Sequence, residues 1–449
     1  MRAAVVWNAW RVGMGLWGCV GLSGEDSLAQ APAPAQGSGG TLSAGVRTWT
    51  SVEGKLFQAS LVSSDGVSVV LRLPNGHTGA VALGRLSAGD REFVLGASGK
   101  APPGGTAGGI GGGGKGVPVE RRVWPQKVEV DGQSVEVKVV GEASNGQDNL
   151  YHSRSFEFIA QDKIAVSVMK EVARTFEATR ALVEALPWGV EAVPPADLGY
   201  YRAKLYKDRR GYLAEGGPEH SGGVYFRKDR IFRVPFESLG LELRGKTWFK
   251  NEAYRNFLLV HEVTHQMMHD VLPFLPIWAS EGTAEYAAML PYNAGRFLAG
   301  SHERGMKEYI RMRGNLQEVG SPMELLTMSR EQWHARADKG GREQERLYFG
   351  ACALVYFFSH LDGNGKGADF IAYMEKLREA QAAWALFFKN PQVEHFPDGS
   401  YRYPAGVKPP DQEYSEKTGM DALPLLVKGR DEETLKRAFY EGYKKIGVR

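Results

Sequence analysis

Cysteine is nearly absent from the sequence, with two among 449 residues. Cys19 falls in an N-terminal segment that we expect to be removed, and Cys352 lies in an apolar run. A disulfide framework is therefore excluded, and the remaining thiol is interpreted as a core residue rather than a nucleophile. The fold must depend on its hydrophobic core, for which this length suffices as one large domain and a small module.

An excess of charge of one sign is also lacking. The chain has 55 basic and 52 acidic residues, a net charge of +3, and no dense block of Lys and Arg. This composition gives no indication of nucleic acid as a partner. Residues 96–118 are rich in glycine, but no Gly-Lys-Ser/Thr sequence follows, so a flexible linker is favoured over a phosphate-binding loop.

The apolar run near the N-terminus, residues 12–22, is too short to cross a bilayer. Arginines before it and small residues after it are typical of an export signal. We therefore expect residues 1–35 to be a signal peptide and processing region, and the mature protein to be exported to the periplasm or the cell exterior without a transmembrane anchor. Lipidation of Cys19 is the weaker alternative, because the bulky Trp17 fits a lipoprotein motif poorly.

Residues 46–95 show short alternating apolar segments separated by Asp-Gly and Asn-Gly turns, which predict a small all-β barrel. The Arg-x-Trp sequence at its start, the two turns and Leu86-Ser87-x-x-Asp90 resemble the Sla homology domain, an SH3-like module. The resemblance implies a peptide ligand for this module. Trp49 is either an aromatic that binds this ligand or, the alternative that we favour, a core residue.

Residues 119–449 are expected to form one α+β domain with a mixed sheet. The patterns predict a hairpin over residues 128–140 and strands at 151–159, 201–205, 224–226 and 231–234. They predict helices at residues 164–186, 347–357, 369–377 and 432–445, with Asp431 as the N-cap of the last.

His261, Glu262 and His265 stand in an apolar run without internal Gly or Pro, which favours a buried helix. Residues four apart share a helix face, so both imidazoles can hold one metal ion while Glu262 lies beside it. A catalytic zinc needs a third protein ligand and an open position for water. Glu281 is the candidate for the third ligand.

Pro273 and Pro276 end the first helix, and a second helix can begin near Trp278. A returning helix would bring Glu281 opposite the histidine pair. Glu285, one turn beyond, could then accept the free N–H of a bound imidazole and fix its tautomer.

His-Glu-x-x-His at residues 261–265, followed by Trp278-x-x-Glu281-Gly282, resembles the gluzincin peptidases, the clan of thermolysin and the one-zinc aminopeptidases. The resemblance implies a zincin-like fold, with Zn²⁺ held by His261, His265 and Glu281 and with Glu262 as general base. The implied activity is that of an exported peptidase acting on a peptide or protein.

The same resemblance implies a catalytic role for Tyr348, because aminopeptidases of this clan place a Tyr at a comparable separation to bind the oxyanion. A packed core Tyr is the alternative, which the residues alone favour. His269 continues the i+4 series and is a competing third ligand, but we interpret it as an ordinary residue of the helix surface.

In gluzincins an edge strand ahead of the metal-binding helix pairs with the substrate backbone. Residues 223–226 or 231–234 are the candidates here, and an internal hairpin is an equally weighted alternative. A catalytically silent zincin-like binding protein, targeted by its Sla-type module, is the alternative to an enzyme. The intact Glu262 argues against it, since Glu262 has no role in holding a metal.

Overall fold

A computed structural model describes residues 47–50, 56–64, 68–72, 78–82, 90, 122–143, 148–219, 221–251, 253–396 and 400–448. They belong to two compact units, one within residues 20–116 and one from residue 117 onward. The architecture is mixed α and β. The expected export signal and the glycine-rich linker lie outside the described residues. Within those residues, no helix combines the length and the apolar character that a membrane span requires.

The first unit contains a four-stranded antiparallel sheet in which consecutive strands are neighbours: β1 (Arg47–Thr50), β2 (Leu56–Ser64), β3 (Ser68–Arg72) and β4 (Thr78–Ala82). Trp49 is fully buried, and its Nε1 donates to the carbonyl oxygen of Ala59 at 2.8 Å. Of the two interpretations of Trp49, the core residue is the one that this burial supports.

The strands of the second unit are β5 (Val128–Glu129), β6 (Lys138–Gly141), β7 (Asn149–His152), β8 (Phe156–Ala160), β9 (Tyr201–Tyr206), β10 (Val224–Phe226), β11 (Ile231–Pro235), β12 (Leu241–Arg244), β13 (Thr247–Lys250), β14 (Tyr292–Asn293), β15 (Arg296–Phe297), β16 (Glu394–His395) and β17 (Tyr401–Arg402). Six of them form a mixed sheet in the order β10-β11-β9-β8-β7-β6. β9 is parallel to both β8 and β11, and the other pairs are antiparallel.

Two strand predictions were wrong. β5 and β6 do not form a hairpin, because β5 pairs with the distant β15, and an ion pair between Glu129 and Arg296 spans that pairing. Residues 151–159 are not one strand but the hairpin of β7 and β8. The buried carboxylate of Glu177 accepts hydrogen bonds from the hydroxyl of Ser153 and the amide of Ser155, which fixes the chain reversal.

The helices of eight or more residues are α1 (Val166–Ala185), α3 (Phe257–Met267), α4 (Ile277–Met289), α5 (His302–Arg313), α7 (Arg330–Ala337), α8 (Gly341–Tyr356), α9 (Ala368–Phe388) and α12 (Glu432–Lys445), and the shorter ones are α2 (Arg209–Ala214), α6 (Pro322–Thr327), α10 (Lys417–Asp421) and α11 (Pro424–Val427). The predictions of α1, α3 and α12 are confirmed. Asp431 caps α12, since its side chain accepts from the amide of Thr434 at 2.8 Å.

Four helices pack against one another in series. α3 packs between α1 and α4, and α4 packs in turn on α8. The approach of α4 to α8 is close because residue 282 is glycine. A Cβ there would lie 2.4 Å from the carbonyl oxygen of Ala351. This packing fixes the position of the carboxylates that α4 carries.

Candidate metal centre

α3 is buried along almost its whole length, as its apolar sequence predicts. The polar side chains of His261, Glu262 and His265 are therefore carried into the interior, with residue exposures of 1%, 2% and 3%. Buried polar groups need partners. Side chains on the next helix provide them.

The expectation that Pro273 and Pro276 end the first helix was wrong, because α3 ends at Met267, before either proline. Pro273 lies in a 3-10 turn within the connection 268–276, and Pro276 directly precedes α4. Proline lacks an amide hydrogen and suits the start of a helix but not its interior. α4 therefore begins at Ile277 and packs against α3. The carboxylate of Glu281, in its second turn, faces the two imidazoles.

The three predicted ligands converge. Oε2 of Glu281 lies 3.3 Å from Nε2 of His261 and 3.4 Å from Nε2 of His265. The two Nε2 atoms are 3.1 Å apart. The exposed fractions of these side chains are only 1% for His261, 3% for His265 and 9% for Glu281.

This donor set fits zinc. Catalytic zinc sites use two imidazole nitrogens and one carboxylate oxygen, with bonds of about 2.0–2.2 Å. Tetrahedral coordination with such bonds requires ligand atoms about 3.3–3.5 Å apart. The three atoms here have nearly that spacing, so a divalent cation of this size fits among them with little movement of the ligands.

The charges of the site favour a cation. Burial acts to lower the pKa of the His261 imidazole, but the carboxylates of Glu281 and Glu285 outweigh burial and raise that pKa to about 10. Burial acts to raise the pKa of Glu281, but His265 and His261 hold it well below its usual range. Both shifts arise because carboxylates and imidazoles are closely paired where little water screens them. The site therefore stabilises positive charge.

Glu285 contacts the opposite nitrogen of His261. Its Oε1 lies 3.0 Å from Nδ1 of His261. Its Oε2 accepts a hydrogen bond from the hydroxyl of Tyr309 on α5. A carboxylate in this position favours the tautomer with its proton on Nδ1, which leaves the Nε2 lone pair directed at the metal position.

Glu262 lies beside the ligands and outside their cluster. Its Oε2 accepts the backbone amide of Tyr225, in β10, at 2.9 Å. Burial raises the pKa of Glu262. A carboxylate with a raised pKa is suited to accept a proton and release it again, as a general base requires.

Tyr348, on α8, is also near the cluster. Its ring centroid lies 6.3 Å from that of His261, and the ring also packs edge-on against Trp333 with a centroid distance of 5.6 Å. Burial, together with the nearby Glu281, raises the pKa of its phenol well above 10. The hydroxyl therefore stays protonated at neutral pH and remains a hydrogen-bond donor.

His269 lies in the turn after the end of α3, not on the helix surface as expected, and is outside the cluster. Its Nδ1 is 2.8 Å from the hydroxyl of Tyr225. Burial lowers its pKa to about 4, so the ring is neutral at neutral pH. The side chains able to share one cation are those of His261, His265 and Glu281. His269, four residues after His265, is not among them.

β10 is the edge strand of the six-stranded sheet formed by the described strands, and β11 pairs on both sides. The two strands predicted for substrate pairing form the internal hairpin that was the alternative expectation, and only the first of them stands at the edge. It is also the strand that contacts Glu262.

The comparisons with protein families and with curated proteins found no match, so any inference about function depends on the side chains described above. Sequence reasoning missed Tyr225 and Tyr309, which belong to no local motif and reach the site only through the packing of β10 and α5 against α3 and α4.

Proposed function

We propose that the chain is a zinc-dependent peptidase of the gluzincin type. The observation that carries the proposal is the convergence of His261, His265 and Glu281 from two consecutive helices, with Glu262 beside them and not among them. A purely structural metal site has no use for the adjacent buried carboxylate, whereas hydrolysis requires a base at that place.

The residues divide the chemistry among themselves. Zinc, when bound, would lower the pKa of a water molecule to about 7 and polarise the scissile carbonyl group. Glu262 would take the proton from the attacking water and deliver it to the leaving amine. Tyr348 would donate a hydrogen bond to the oxygen that becomes negative in the transition state.

A peptide is the substrate class that the edge of the sheet favours. In an antiparallel pair the N–H and C=O of one residue point to the same side. Because the amide of Tyr225 contacts Glu262, the carbonyl of Tyr225 points to the same outer side of β10. An extended peptide could donate its own N–H there, beside the base, by adding as a further strand.

The finer features of the fold belong to the same proposal. The mixed sheet and the paired helices α3 and α4 support a zincin-like domain, and the antiparallel β1–β4 sheet supports an SH3-like module of the Sla homology type that binds a peptide. The proposal also includes export of the protein to the periplasm or the cell exterior. This part is inferred from the sequence of residues 1–35.

Replacing Glu262 by Gln tests the proposal, since the amide keeps the shape of the side chain but cannot accept the proton. We expect one zinc per chain in both proteins, and a loss of about 10²- to 10⁴-fold in cleavage of a peptide library by the variant. Glu441→Gln, at an exposed glutamate on α12, is the matched control and should cleave normally.

Undiminished cleavage by Glu262→Gln would refute the assignment of the base. A wild-type protein that binds zinc but cleaves no member of the library, with or without added zinc, would instead favour the catalytically silent binding protein.

A further inference from the structure

Tyr309 lies behind the proposed metal site and is held firmly. It is 1% exposed. Its ring packs between Phe257, at the start of α3, and Phe349, on α8, with centroid distances of 5.9 and 5.8 Å and interplanar angles of 14° and 9°. Two parallel aromatic neighbours on separate helices leave the phenol little freedom to rotate out of its plane.

The hydroxyl of Tyr309 begins a chain of contacts that ends at the ligands. It donates to Oε2 of Glu285, and Oε1 of Glu285 lies 3.0 Å from Nδ1 of His261. The other nitrogen of the same ring, Nε2, lies 3.3 Å from the Glu281 carboxylate. Hydroxyl, carboxylate and imidazole thus form a continuous series in the interior.

Glu285 depends on this donor because water is scarce around it. The residue is 3% exposed, so a carboxylate oxygen that lost its hydrogen bond would not regain one from bulk solvent. The hydroxyl also contacts the thiol of Cys352, which is fully buried on α8. A thiol is a weak hydrogen-bond donor and would not replace the tyrosine.

We propose that Tyr309 is a positioning residue of the metal site, whose hydroxyl orients Glu285 so that Glu285 in turn fixes the ring plane and tautomer of His261. This inference rests on the proposed function, because it assigns a supporting role to a residue outside the ligand set. Loss of such outer contacts typically weakens a metal site 10- to 100-fold while leaving its ligands in place.

Tyr309→Phe removes the hydroxyl and retains the ring between its two aromatic neighbours. Tyr443→Phe is the matched control, because Tyr443 is also fully buried and its hydroxyl donates at 2.9 Å to the backbone carbonyl of Ala353, on the same α8. Both variants lose one buried hydrogen bond, so both should have lower unfolding midpoints in urea without metal, and the fall should be larger for Tyr309→Phe because its partner is a carboxylate.

Zinc affinity separates the two variants. Measured on the full-length protein by competition with a chromophoric chelator, it should fall 10- to 100-fold in Tyr309→Phe and stay within twofold of wild type in Tyr443→Phe. Glu285→Gln should also weaken zinc binding. The double variant Glu285→Gln/Tyr309→Phe should bind zinc no more weakly than Glu285→Gln alone, since Tyr309 acts through Glu285.

The outcomes distinguish this inference from the proposed function. A wild-type protein without a zinc site would overturn both. Zinc binding by wild type with equal affinity in Tyr309→Phe would overturn this inference alone and leave Tyr309 as a packing residue. Additive losses in the double variant would show that Tyr309 does not act through Glu285, which also overturns it.

Discussion

Gly282 is the position where a single added methyl group should disturb the proposed metal site most directly without replacing a proposed ligand. A Cβ at residue 282 would lie 2.4 Å from the carbonyl oxygen of Ala351 and 2.7 Å from Cγ2 of Val355. A comfortable carbon–oxygen contact is about 3.3 Å or more. Gly282→Ala therefore requires α4 and α8 to separate by about 0.9 Å at this point.

The cost can be estimated from two opposing effects. Overpacking of this size destabilises a core by about 1–3 kcal/mol. The higher helix propensity of Ala relative to Gly offsets up to about 1 kcal/mol of this loss of stability. Because the obstacle is a helix backbone and not a flexible side chain, we expect a net loss of about 1–2 kcal/mol in the free energy of unfolding of the metal-free protein.

The same displacement should weaken zinc binding. Glu281 adjoins the substituted residue, and metal–ligand distances tolerate only about 0.2 Å of error. We expect at least a tenfold loss of zinc affinity, measured by chelator competition alongside urea denaturation.

Gly442→Ala on α12 is the control, because the nearest atoms to its new methyl group are side-chain carbons of Leu361 at 3.1 Å and Phe357 at 3.3 Å. It should bind zinc normally. If Gly282→Ala is as stable as wild type and binds zinc equally well, then the close packing of α4 on α8 does not position Glu281.

Two further predictions concern other parts of the chain. Trp49→Ala removes a fully buried indole and its hydrogen bond to Ala59. In thermal unfolding it should destabilise the first unit by about 3–5 kcal/mol, while zinc affinity stays unchanged. A parallel loss of zinc binding would contradict this prediction. The rings of His302 and His360 stack 3.7 Å apart, and burial lowers the pKa of both. The folded state therefore resists protonation of both rings. The free energy of unfolding is greatest above about pH 6.5, the pKa of an imidazole in the unfolded chain. Below that pH it decreases by at most about 1.4 kcal/mol per pH unit for each ring. Replacing both residues by Phe should reduce the decrease of the urea unfolding midpoint between pH 7 and pH 5. An unchanged decrease would show that these two histidines do not cause the loss of stability at low pH.

Elements with strong local patterns could be predicted from the sequence. The apolar spacing of residues 164–186 and the cap at Asp431 depend on neighbours within one or two turns, so α1 and α12 were predicted almost to their ends. The pair His261 and His265 was recognisable for the same reason, since helix geometry alone puts them on one face.

Features fixed by distant contacts could not be predicted. β5 looked like half of a hairpin because Asp131-Gly132 follows it, yet its partner β15 comes after α3 and α4. Glu177 belongs to no local motif, and its carboxylate reaches the turn between β7 and β8 only through the packing of α1 on the sheet. Tyr309 carries no motif at all, and its contact with Glu285 exists only because α5 packs on α4.

X-ray absorption spectroscopy of the zinc-loaded protein would determine whether His261, His265 and Glu281 bind zinc together, because it reports the number and kind of atoms bound to the metal. We expect one zinc per chain with two histidine nitrogens and one carboxylate oxygen from the protein, at about 2.0–2.2 Å, and a remaining position filled by water. The absence of stoichiometric zinc, or coordination by four protein side chains, would contradict this expectation.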